Sequence, residues 1–162
     1  MTKDNFPFSI CIMISMLLFA GCGGELKPDG LPKLYPLTLT LTQDGTPLAG
    51  ASVALFADDG EAKWTIGGTT DASGKMSPMT HGKFPGIPDG TYKVCVRKIE
   101  AVAPAERSGD SESQPVNSVE YDLVDIRLQS PVTTTLTLEA GPGKKSATLD
   151  VGKPIREQIK SD

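Results

Sequence analysis

Residues 37–60 read LTLTLTQDGTPLAGASVALFADDG. The first six alternate strictly, Leu37, Leu39 and Leu41 on one side and Thr38, Thr40 and Thr42 on the other. A period of two with β-branched partners is the signature of a half-buried strand. Asp44-Gly45 then supplies a turn, since both residue types tolerate the left-handed backbone that tight hairpins need. The run ASVALFA forms a second strand with Val53 and Leu55 inward, and Asp58-Asp59-Gly60 turns the chain again.

The same grammar continues downstream. AKWTIGGTT, residues 62–70, predicts a third strand weakened by its two glycines. In TDASGKM, Asp71 is placed to accept backbone amides and Gly74 to take a positive φ. The proline-punctuated FPGIPDG leads into TYKVCVRK, where Tyr92, Val94 and Val96 face the core. Lys93, Cys95 and Arg97 then share the outer face, and two cationic neighbours predict a water-accessible, readily ionised Cys95 thiol. VTTTLTLEA (Leu136 and Leu138 inward) and SATLDVG (Ala147, Leu149 and Val151 inward) complete the set. Short strands with turn signals every ~8–12 residues, and no long helical pattern, predict an all-β, antiparallel β-sandwich of seven strands or so. The domain is expected over residues 34–152, with a long loop at 99–131 and a tail at 153–162. The serine-rich, charged APAERSGDSESQP is too poor in apolar residues to order itself. Its apolar continuation, VNSVEYDLVDIRLQSP, is expected along the sandwich edge, and the tail is expected to form a helical turn from Pro154.

Upstream, Phe8 to Ala20 is an apolar run of thirteen residues. It is too short to span a bilayer, which takes ~20 residues, and fits the apolar region of a secretory signal. Phe19-Ala20-Gly21-Cys22 ends it, and this resembles the lipobox of bacterial lipoproteins, whose commoner form is Leu-Ala-Gly-Cys. The resemblance implies a signal peptide over residues 1–21, cleavage before Cys22 and acylation of Cys22, which would anchor the chain in membrane lipid. Residues 22–33, with two prolines and several glycines, are expected to be a flexible tether. Gly23 in place of an aspartate after the cysteine points, by the enterobacterial sorting rule, to the outer membrane. Cys11 leaves with the signal and Cys22 is lipid-blocked, so Cys95 has no disulfide partner.

The 162 residues carry a net charge of −4, one histidine and one tryptophan. No basic patch is present, which argues against nucleic acid as a partner. His81 stands alone, no G-x-S-x-G elbow accompanies it, and no His/Cys/carboxylate cluster has the spacing of a zinc site. Asp58, Asp59 and Glu61, and likewise Asp110 and Glu112, are too few for a calcium loop. Neither a metal nor a cofactor is expected, and no catalytic residue is assigned. Trp64 belongs to the core or the edge of the sandwich, with stacking on a sugar ring as the alternative.

Three motifs resemble the transthyretin-like, carboxypeptidase-regulatory-like domains found in lipoproteins of Planctomycetes and their relatives. They are Asp44-Gly45-Thr46-Pro47-Leu48-Ala49-Gly50-Ala51, then Gly68-Thr69-Thr70-Asp71-Ala72-Ser73-Gly74, then Pro88-Asp89-Gly90-Thr91-Tyr92-Lys93-Val94. The resemblance implies the same sandwich and says little about function. Catalytic proteins of related fold, the hydroxyisourate hydrolases and intradiol dioxygenases, need several histidines. The resulting expectation is a non-catalytic, lipid-anchored cell-envelope protein acting as a structural or protein-interaction module toward an envelope partner. The alternative is a carbohydrate- or peptide-binding protein using Trp64 or the 99–131 loop.

Overall fold

A computed structural model of the chain describes residues 27–60, 63–103 and 118–159. The chain divides into two units, Met1–Leu31 and Pro32–Asp162. Of the first, only residues 27–31 are described, a turn closed by the Leu31 N–H on the Pro28 carbonyl at 3.1 Å. Cys22 and the predicted signal peptide lie outside the described residues, as do most of APAERSGDSESQP and the two candidate acids within it, Asp110 and Glu112.

The second unit is the predicted all-β sandwich. One sheet runs, edge to edge, β11 (Thr137–Ala140), β8 (Gly90–Arg97), β3 (Ser52–Ala57), β4 (Ile66–Thr69), β6 (Met79–Thr80) and β7 (Phe84–Pro85). The other runs β12 (Ser146–Asp150), β1 (Thr38–Gln43), β2 (Thr46–Pro47), with β5 (Lys75–Met76) also on β1. Leu37, Leu39, Leu41, Met76 and Val151 on one side meet Val53, Leu55, Ile66, Tyr92, Val94, Val96 and Leu138 on the other in a single buried cluster. Alternation thus decided the inward faces correctly, because a one-residue slip would exchange every leucine of β1 for a threonine.

Turn chemistry fixes the register. Asp44 and Gly45 have φ of 50° and 77° and form the two-residue loop that pairs Thr42 with Pro47 and Gln43 with Thr46. Pro47 is tolerated because β2 is an edge strand. The Asp71 carboxylate accepts the Ser73 and Lys75 amides at 2.8 and 2.9 Å and the Ser73 hydroxyl at 2.7 Å. These bonds hold its pKa below the ordinary carboxylate value. Tyr92 plants its ring in the core while its hydroxyl donates to the Pro88 carbonyl at 2.9 Å.

Four features depart from the sequence reading. β1 and β12 pair in parallel, Leu39 opposite Ala147 and Leu41 opposite Leu149, so the fold is not antiparallel throughout. The 99–131 segment is more than a loop: β9 (Ile99–Val102) pairs with β10 (Val119–Asp122), and a 3₁₀ turn follows at Ile126–Gln129. Val124 and Leu128 enter the core, which anchors the segment. The tail forms no helical turn among its described residues; β13 (Glu157–Gln158) pairs with β10. Arg156 secures it, its guanidinium 3.7 Å from the Tyr121 ring centroid and 2.9 Å from a Glu100 carboxylate oxygen. Finally, Cys95 lies on the outer face as the register requires but is buried, opposite Ala54 on β3. Burial raises its thiol pKa, so the expected accessible thiolate is not formed.

Candidate functional site

The turn after β3 and the turn before β8 lie side by side, because these two strands are neighbours with Ala57 opposite Tyr92. The Asp58 N–H extends that ladder onto the Thr91 carbonyl at 2.9 Å. Between the two turns opens a cleft of about 630 Å³, within the ~300–1,000 Å³ usual for ligand sites. Leu55, Ile66 and Tyr92 belong to the core and line its inner side. Asp58, Asp59, Lys63 and Asp89 supply charge, and Phe56 and Trp64 supply aromatic surface.

Trp64 takes the core-or-edge position that the sequence predicts. It is half-buried, packed against the core cluster, and still lines the cleft. His81 braces it, the rings meeting edge to face at 79° with centroids 5.2 Å apart. His81 sits in a left-handed turn at φ 53°, with its N–H on the Thr65 carbonyl at 2.7 Å. The chain's single histidine therefore positions an aromatic ring.

The charged groups are mutually arranged. Lys93 Nζ stands 3.7 Å from Asp58 Oδ1. Asp89 packs against Gly141, whose φ of 145° and missing side chain leave room for the carboxylate; a Cβ there would collide with it. Tyr92 feels this acidity. Burial first, then the negative charge of Asp59 and Asp89, pushes its pKa up to about 12. The sequence singled out Trp64, Asp58 and Asp59, and the fold brings them together. Asp89, Lys63 and Phe56 went unnoticed, although the Pro-Asp-Gly of residues 88–90 marks the turn that delivers Asp89.

A second cleft of about 460 Å³ lies between the 3₁₀ turn and the end of β12. There Arg127 grips Asp125 with two nitrogens, the closer at 2.6 Å, and its hydrogen bonds draw the Asp125 pKa down to about 2. This pair satisfies itself. Among the described residues, no three His, Cys, Asp or Glu side chains are placed to hold a metal ion, and no helix is long and apolar enough to cross a membrane. No protein-family model matches the chain, and no curated protein matches its sequence.

Proposed function

We propose that this chain is a non-catalytic interaction module of the bacterial cell envelope, held to membrane lipid through acylated Cys22. Residues 22–33 serve as the tether, and the absence of aspartate at position 23 favours the outer membrane. The observation that supports an interaction role is the open cleft at Asp58, Trp64 and Asp89, which sets aromatic and charged side chains at one end of a self-sufficient core. The finer likeness to transthyretin-like, carboxypeptidase-regulatory-like domains fits the same reading. The motif residues Asp71 and Tyr92 spend their polar groups on local backbone and Asp44 serves as a turn residue, so recognition falls to the loops between them.

Fractionation of cells carrying Cys22→Ser tests the anchor. A single acyl chain binds membranes marginally and stable anchoring needs more than one lipid signal, at ~0.8 kcal/mol per buried CH₂. Losing the acylated residue should therefore release the protein into the soluble envelope fraction or leave its signal uncut. Unchanged membrane retention together with unchanged size refutes the anchor.

A further inference from the structure

We infer that the cleft beside Trp64 binds a neutral, hydroxyl-rich glycan, an assignment that rests on the interaction-module reading and gives it a ligand class. The argument proceeds by charge. An apolar ligand would strip water from Asp58, Asp59, Asp89 and Lys63 without returning hydrogen bonds, which is unfavourable for every one of them. A cationic ligand would be drawn by Asp59 and Asp89 but repelled by Lys63 in the lining, and Asp58 is already paired with Lys93, so a cation is the rival that the titration must separate. An anionic ligand would face three carboxylates. A neutral polyol meets none of these obstacles.

Sugar hydroxyls also match what the cleft offers. Each hydroxyl donates one hydrogen bond and accepts others. The carboxylates of Asp59 and Asp89 accept hydrogen bonds from sugar hydroxyls, and the Lys63 ammonium donates to sugar oxygens. Hydrogen bonds to ionised groups are the stronger class. The ring of Trp64 provides flat apolar surface for the C–H face of a pyranose. Packing against the core, with the His81 ring edge-on to it, restrains the Trp64 ring and reduces the ordering entropy lost on binding.

Trp64 is the only tryptophan, so its emission reports directly on the site. The full chain in detergent is titrated with cellohexaose, maltohexaose, chitohexaose and, as the cationic comparison, hexalysine. At least one neutral oligosaccharide should shift the emission saturably, with a midpoint unmoved by added salt because the ligand carries no charge. Asp89→Asn should weaken that binding about tenfold or more, as expected for loss of a charged acceptor. Calorimetry should show no binding to Trp64→Ala. Should that variant fail to fold, Asp89→Asn, altered at an exposed position, decides the matter. A response to hexalysine alone, suppressed by salt, overturns the glycan assignment and leaves the interaction module standing. Silence toward all four probes overturns the assignment too, while the Cys22→Ser fractionation judges the anchor independently.

Discussion

Thr70 is the side chain through which the middle motif holds the connection between β2 and β3, and replacing it should be costly in a specific way. Its hydroxyl is buried, donating to the Leu48 carbonyl at 2.6 Å and accepting the Ala51 N–H at 2.9 Å. The backbone adds Thr70 N–H to the Ala51 carbonyl at 3.0 Å and Gly50 N–H to the Thr70 carbonyl at 2.9 Å. Thr70→Val keeps the shape and the β-branch and leaves two buried backbone groups without the hydroxyl. Each such group costs about 1–3 kcal/mol, offset by under ~1 kcal/mol for the extra buried methyl. The net loss should be about 2–4 kcal/mol. Thr70→Ser keeps both hydrogen bonds and removes one methyl, for a loss of about 1 kcal/mol. In urea, with m of about 2 kcal/mol/M for a domain of this size, the valine variant should unfold roughly 1–2 M earlier with m unchanged. Amide exchange at Ala51 should accelerate in the valine variant and stay slow in the serine variant. A valine variant within ~1 kcal/mol of the parent, or a serine variant as damaged as the valine one, refutes the claim that the two hydrogen bonds carry the effect.

Two further outcomes follow from β8, one from each of its faces. The Cys95 thiol, buried and with its pKa raised, should resist a maleimide in the folded chain and react on denaturation; prompt labelling of the native protein would contradict the burial. Tyr92 is held protonated to about pH 12 in the fold but ionises near pH ~10 when unfolded. Its contribution is thus intact below pH ~10 and lost as pH rises toward 12, a loss of the order of 2–3 kcal/mol. Tyr92→Phe, less stable at neutral pH by about 1 kcal/mol through the unpaired Pro88 carbonyl, should close that gap above pH ~11 and exceed the parent by about 1 kcal/mol near pH ~12. A gap that stays constant to pH 12 would mean the hydroxyl titrates normally.

Legibility in the sequence followed the range of the signal. β1, β3 and β8 were readable because alternation of Leu or Val with polar residues is local and dictates the face directly. The turns at Asp44-Gly45 and Asp71 were readable because they depend on residues within a few positions of one another. The parallel pairing of β1 with β12 was not, since strand partners are chosen by topology and nothing in either strand encodes direction. The 99–131 segment hid its order for a related reason. Its anchors, Val124 and Leu128, are two apolar residues without a period, and only the core they enter gives them meaning. β13 depends on Arg156 meeting Tyr121 and Glu100, contacts made across the fold. Cys95 was assigned the right face and the wrong environment, because alternation specifies direction and says nothing about what covers a surface.

The cleft shows the same division from the side of function. Asp44, Asp71 and Tyr92, which carry the resemblance to a known domain type, are occupied in turns and a buried hydroxyl contact. Lys63 and Trp64 follow no motif that distinguishes them from ordinary loop residues, and Asp89 lies in the third motif only as part of its Pro-Asp-Gly turn. They meet because Ala57 stands opposite Tyr92, which brings the turn after β3 beside the turn before β8. His81 reaches Trp64 because β4 pairs with β6, placing Ile66 opposite Thr80 and His81 against Thr65. The cleft is therefore a property of strand register. A slip of one residue between β3 and β8 would leave every motif intact and still separate Trp64 from Asp89, so the turns that set register are also what position the site.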